Sequence, residues 1–152
     1  MKKTVVLGVG NELFKDEGVG VHIARILQTK HSLSSINVEV IDGGTSPDIC
    51  HLVDGADKLV IVDAVKGGCE PGTIYRFTPD QIVAERGIVT SVHQMGILEN
   101  LSLMEFIGSK PKETVIIGVE PGELEPGLEL SPDLQERMPK IIQTVLGEIS
   151  AP

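Results

Sequence analysis

The sequence predicts an α/β fold: a three-layer α-β-α sandwich on a mostly parallel sheet of about five strands, with one short edge strand antiparallel. Three observations predict it. Short β-branched runs alternate with stretches of helical apolar spacing, in the order β-α-β-α-β-(β)-α-β-α. The core must be aliphatic, because hydrophobic residues make up 41% of the 152 but aromatics only 3%, with no Trp. Such a core suits parallel strands covered on both faces. The length fits one domain over residues 1–152, since a chain of this size can bury a full core.

Thr4–Gly8 is a β-branched run ending in glycine and reads as the first strand. A Gly-rich loop follows. From Glu17 to Lys30 apolar residues recur at Val19, Ile23, Ile26 and Leu27, a helical spacing. Asn37–Asp42 is the second strand, and Asp42 to Pro47 reads as loop, with Pro47 opening a short helix through Val53. Lys58–Ala64 is the third strand, and Thr73–Phe77 the short edge strand. Pro79 to Ala84 makes one or two helical turns. Ser91 or Val92 leads into a long helix from His93 to Ile107, its apolar positions Ile97, Leu98, Leu101, Met104 and Phe106 lying mostly on one face. Thr114–Val119 is a buried strand. The Glu120–Glu129 segment, rich in Glu, Gly and Pro, reads as a solvated loop. Ser131 then caps a last helix that has Pro132 at its first position and runs to about Ile149.

The net charge of −9 argues against nucleic acid as a partner, because that affinity rests on Lys and Arg neutralising phosphates. No run approaches the ~20 apolar residues of a membrane span. The apolar start, Thr4 to Leu7, is too short for a secretory signal. Cys50 and Cys69 lack the spacing of redox or zinc motifs and read as incidental thiols of a reduced, cytoplasmic protein.

Several motifs fail. Gly8-Val9-Gly10 follows a strand as a dinucleotide loop would, but Leu13 occupies the position of the third glycine, and Glu17 stands where a pyrophosphate would approach. There is no Walker lysine, no HExxH and no GxSxG. What survives is a constellation at the carboxyl edge of the sheet. Glu17 follows the first strand, Asp63 ends the third inside an apolar run, and His93 starts the second long helix. An expected strand order 2-1-3 makes the first and third strands neighbours, with a crevice between their outgoing loops. Two carboxylates and one imidazole suit a borderline divalent ion such as nickel or zinc better than calcium. Each residue also fits a plainer role. Glu17 suits the first turn of a helix dipole, Asp63 a brace for the next loop, and His93 a satisfied polar residue.

The segment Leu7-Gly8-Val9-Gly10-Asn11-Glu12-Leu13-Phe14-Lys15-Asp16-Glu17-Gly18-Val19-Gly20-Val21 resembles the N-terminal signature of hydrogenase maturation endopeptidases. The likeness continues through Asp42-Gly43-Gly44-Thr45, Ile61-Val62-Asp63-Ala64, His93-Gln94-Met95-Gly96, Ile117-Gly118-Val119-Glu120-Pro121 and Leu130-Ser131-Pro132, across nearly the whole chain in order. The resemblance implies an endopeptidase that clips a C-terminal extension from the [NiFe]-hydrogenase large-subunit precursor after nickel insertion. It also implies that the metal positions are Glu17, Asp63 and His93, with the substrate's own nickel as the ion recognised. Zn or Cd could occupy the same donors. The HQxG form looks closer to enzymes that serve uptake-type hydrogenases. For the proton acceptor, Asp42 and Asp16 are candidates because both fall near the same edge; a turn brace for Asp42 and a loop or cap role for Asp16 fit as well. His51 is a candidate neighbour of the site, and His22 and His31 carry no assigned role. Two readings from other classes remain: a non-enzymatic nickel carrier, and a metal-independent small-molecule hydrolase.

Overall fold

A computed structural model describes residues 2–30, 32–45, 49–84 and 92–151, the side chains of 82–84 and 92–95 excepted. Pro47 and His31 therefore lie outside the described residues, as does the side chain of His93. Five strands form one sheet: β1 (Thr4–Val9), β2 (Val38–Gly44), β3 (Lys58–Ala64), β4 (Ile74–Phe77) and β5 (Glu113–Val119). Their order is β2-β1-β3-β5-β4, all parallel except the β4–β5 pair. The predicted sandwich, the neighbouring first and third strands and the antiparallel edge strand are all present.

Alternation along each strand builds two cores. Val5, Leu7, Leu59, Ile61 and Ile116 face one side, where they meet α3 (Ile49–Leu52) and α5 (Val92–Ile107) through Ile49, Ile97, Leu101 and Met104. Val6, Val60, Val62, Val115, Ile117 and Val119 face the other, against α1 (Val19–Gln28) and α6 (Pro132–Ser150). Two short helices, α2 (Ser32–Ser35) and α4 (Pro79–Ala84), complete the elements among the described residues. The cap of α6 is as predicted: Leu134 N donates to Ser131 Oγ at 3.4 Å, and Pro132 sits in the first turn.

Three expectations need correction. The second strand does not stop at Asp42. Asp42 pairs with Gly8, and Gly44 with Val9 across a bulge, and Gly10 N then donates to Gly44 O at 2.9 Å. Gly44 has φ +50, a backbone that a glycine supplies at no steric cost. The first long helix starts as a 3-10 turn, Lys15–Gly18, before α1 proper. Phe106 does not share the buried face of α5; it is 88% exposed. It lies two residues beyond the buried Met104, about 200° around the helix.

At the opposite, amino end of β3, Lys58 is fully buried. Its Nζ donates to Glu148 O at 2.7 Å and lies 3.4 Å from Glu148 Oε2, while Arg76 Nε reaches Glu148 Oε1 at 2.5 Å. Burial pushes the Glu148 carboxyl up; the Arg76 hydrogen bond and the charges of Lys58 and Arg76 outweigh it and hold the group below its ordinary value. A carboxyl so depressed contributes stability above its unfolded pKa and loses it as pH falls through the folded one. Glu148→Ala should therefore cost about 2 kcal/mol in urea unfolding near neutrality, because a buried ammonium loses one carboxylate while keeping the Glu148 carbonyl and, at 3.7 Å, Glu113 Oε1. Lys58→Met with Glu148→Leu should cost less than that single change. The gap between wild type and Glu148→Ala should narrow in acid.

Candidate functional site

The carboxyl edge of the sheet is assembled by close backbone approach. A Cβ on Gly20 would lie 2.1 Å from Val62 O and 2.5 Å from Val9 O. The first turn of α1 is thus seated directly on the ends of β1 and β3. A Cβ on Gly10, whose φ is +137, would lie 2.1 Å from Glu17 O. Only glycine allows the loop to fold back this tightly. The 3-10 turn that carries Glu17 consequently packs against β3, which carries Asp63.

Asp63 is fully buried and pairs with Gly118 of β5; its Oδ1 accepts from Ala64 N at 2.8 Å. Glu17 is half-buried, with its N donating to Phe14 O at 3.1 Å. His93 is in the first turn of α5. That helix leads into the parallel strand β5, so its first turn belongs to the carboxyl edge, where Glu17 and Asp63 are. Asn100 of α5 fixes this helix to its neighbour: its Oδ1 accepts from Ile49 N and Cys50 N at 3.2 and 3.3 Å. The turn that carries Glu17 and the strand that carries Asp63 are thus packed together, and the helix that carries His93 starts at the same edge.

Asp16 is fully buried and its carboxylate takes four donors. Oδ2 accepts from Gly122 N at 2.8 Å, Glu123 N at 2.9 Å and Ser131 Oγ at 2.7 Å; Oδ1 accepts from Ser131 N at 2.7 Å. A carboxylate engaged in this way is poorly placed to take a proton from water, so the geometry favours the loop role of Asp16 over that of base. It ties the Glu17 turn to the start of α6. Asp42 has looser partners: Gly44 N on Oδ1 at 3.1 Å and Arg25 Nε on Oδ2 at 3.2 Å. Arg25 also binds both carboxylate oxygens of Glu12, and that hydrogen bonding holds the Glu12 carboxyl below its ordinary value. His51 is exposed on α3.

The segment expected to be a solvated loop is strapped down. Lys15 N donates to Gly127 O and Gly127 N to Leu13 O, both at 2.8 Å, and Lys15 Nζ lies 3.3 Å from both Glu123 Oε1 and Glu125 Oε1. Glu120 is only 6% exposed. Its Oε1 accepts from Gly67 N at 2.7 Å, Cys69 N at 3.1 Å and Tyr75 Oη at 2.6 Å. Burial pushes this carboxyl up, but the Tyr75 hydroxyl and the backbone donors hold it below its ordinary value. The Tyr75 hydroxyl is raised in turn, by burial first and then by its bonds to Cys69 and Glu120. Glu120 therefore anchors the loop that leaves β3 just after Asp63. Its signal was present in the sequence, a carboxylate following a buried strand just as Asp63 ends one, but the Gly- and Pro-rich context hid it.

Comparison with known proteins agrees with this architecture. A family model described as hydrogenase maturation protease matches residues 21–148. The hydrogenase expression/formation protein HupD of Thiocapsa roseopersicina is 42% identical over 147 residues, 93% of this chain; the chain spans 65% of that protein's length. The hydrogenase 2 maturation protease of Escherichia coli K12 is 33% identical over 97% of this chain and 90% of its own length. Among solved structures, the hydrogenase maturating endopeptidase HybD of E. coli superposes with a TM-score of 0.82 at 30% identity, covering 97% of this chain and 91% of that one. The [NiFe] hydrogenase maturation protease HybD of Thermococcus kodakarensis gives 0.78 at 26% identity, covering 98% and 99%.

Removing the Asp16 brace should be costly. Asp16→Ala should lower unfolding free energy by about 3 kcal/mol or more, because four donors lose their acceptor. Asp16→Asn should cost about 2 kcal/mol, since its amide must face one of those donors. Gly20→Ala should cost about 3 kcal/mol by pushing α1 off Val62. Urea titration followed by far-UV circular dichroism measures all three; wild-type stability in Asp16→Ala would refute the brace.

Proposed function

The chain belongs to the hydrogenase maturation protease family, and on that premise we propose that it removes the C-terminal extension of the nickel-loaded [NiFe]-hydrogenase large-subunit precursor in the cytoplasm. The observation that carries this reading is the seating of α1 on Val62. It packs the turn bearing Glu17 against the strand end bearing Asp63. Those two carboxylates, with the imidazole of His93, form the donor set that reads the precursor's nickel. Two oxygens and one nitrogen fit a borderline ion, and three donors leave coordination positions for the precursor's own ligands and for water. Nickel here is part of the substrate, and processing then depends on whether it has been inserted.

In the hydrolysis, a water oxygen attacks the scissile carbonyl carbon, the C–N bond breaks, and the leaving nitrogen takes a proton. A cation beside the carbonyl would polarise it. Asp42 is the better candidate for the base. Each of its oxygens accepts one hydrogen bond in the structure and keeps a lone pair, whereas the Asp16 carboxylate is committed to its four donors.

Gel analysis of the precursor with and without nickel tests the proposal. The nickel-loaded form should be shortened and the apo form left intact. Asp63→Asn and His93→Ala should abolish shortening while circular dichroism shows a retained fold. Asp42→Asn should lower kcat by roughly a hundredfold. Equal cutting of the apo form would overturn nickel recognition. Unchanged precursor length with nickel taken up would instead identify a carrier.

A further inference from the structure

Three large apolar side chains lie in water on the two loops beside Glu17: Leu13 is 58% exposed, Phe14 38% and Leu128 64%. Their exposure is not that of loose loops. Phe14 and Gly127 form a parallel β-bridge, so Leu13 and Leu128 flank one short two-stranded strip. Asn11 Oδ1 accepts from Leu13 N at 3.0 Å and sets the turn on one side. The Asp16 carboxylate and the Lys15 ion pairs lock the other strand of the strip beneath. A chain that spends a buried carboxylate on rigidifying this strip, yet leaves its apolar side chains in solvent, has a preformed surface. The strip runs directly into the proposed nickel-reading donors, because Phe14 O accepts the N–H of Glu17.

We propose that Leu13, Phe14 and Leu128 are the docking platform for the stretch of substrate polypeptide beside the scissile bond, a segment with apolar side chains flanked by Lys or Arg. The inference rests on the precursor-cleaving reading above. The charge requirement comes from the rim: Glu12, Glu123, Glu125 and Glu129 outnumber Lys15 and Arg25 around the strip, on a chain of net charge −9. An acidic rim around an apolar centre selects a basic, apolar segment and repels an acidic one. A second copy of this acidic chain would bring like rims together, which disfavours self-association at this face.

The test is steady-state cleavage of the nickel-loaded precursor by the full chain carrying Leu13→Ser, Phe14→Ser and Leu128→Ser together, with circular dichroism to verify the fold. The expected result is a KM raised roughly tenfold or more with kcat little changed, since lost apolar burial weakens binding on this scale. Glu129→Lys should raise KM as well, and high salt should raise it in the wild type. Leu103→Ser with Phe106→Ser and Ile107→Ser, an exposed apolar stripe on α5, should leave both constants unaltered. If the wild type does not cut the precursor at all, the functional reading fails. If the wild type cuts it and the Leu13/Phe14/Leu128 variant shows unchanged KM, the platform is refuted while the functional reading stands. Should that triple variant fail to fold, the single change Leu128→Ser and Glu129→Lys carry the same test, and unchanged KM in both refutes the platform. A wild-type dimer dissolved by the triple variant with KM intact would show the face to be a self-interface, which also refutes it.

Discussion

The structure depends on one steric constraint: the backbone of α1 at Gly20 touches the carbonyl oxygens of Val9 and Val62, with no room for a Cβ. Two neighbouring strands of a parallel sheet end side by side, and the first helix must pass over the gap between them. In most such sheets that gap is where a ligand enters. Here the helix is pulled down onto the strand ends, the glycine loop folds back beneath it, and the turn between them is forced against β3. Glu17 is in that turn, and Asp63 is the next residue after the carbonyl that Gly20 meets. The same geometry explains why no phosphate cradle results. The loop amides of Gly10, Lys15, Asp16 and Glu17 donate to backbone carbonyls instead, and the loop carries an acid.

Such a turn needs support from the other side, and the support is polar. Asp16, adjacent to Glu17, is buried and relies on donors from Gly122, Glu123 and Ser131. Burying a carboxylate is expensive, and hydrogen-bonding every lone pair in use is what makes it tolerable. What it returns is geometric: the acceptor is matched to donors on two other segments, so only one arrangement of the turn, the following loop and the start of α6 satisfies all of them. Glu120 does the same for the loop after Asp63, through Gly67, Cys69 and Tyr75. Two buried carboxylates thus hold the two loops that leave the candidate site.

This division explains what the sequence could and could not disclose. The strands were legible because β-branched runs such as Lys58–Ala64 carry their own signal, and the start of α6 was legible because Ser131 and Pro132 act on adjacent residues. Glu17 and Asp63 stand out as candidates because each breaks a local rule, an acid after a glycine loop and an acid in an apolar strand. Asp16 was legible as a loop or cap candidate, but its partners were not, since they lie 106 to 115 residues away. The Glu120–Glu129 run looked solvated because composition alone cannot report that Lys15, Leu13 and Asp16 reach across to it. Phe106 misled for a related reason: periodicity names a face, and only the position of the sheet decides where that face ends.

On the proposed reading, the incompleteness of the donor set is itself functional. A full set of four protein ligands would hold nickel tightly and compete with the precursor for its own metal. Three donors, two of them carboxylates, bind a free divalent ion weakly but add contacts to an ion already held by another chain. Recognition of metal alone would then be too weak to commit the enzyme, and recognition of an apolar peptide alone would be too general. Placed end to end on one rigid strip, the two are linked by a high effective concentration, so each makes the other count only when both are present. The rigidity enforced by Asp16 matters for that reason. If the strip could shift relative to Glu17, the two weak contacts would have to be ordered at the moment of binding, and the entropy of ordering would consume the advantage.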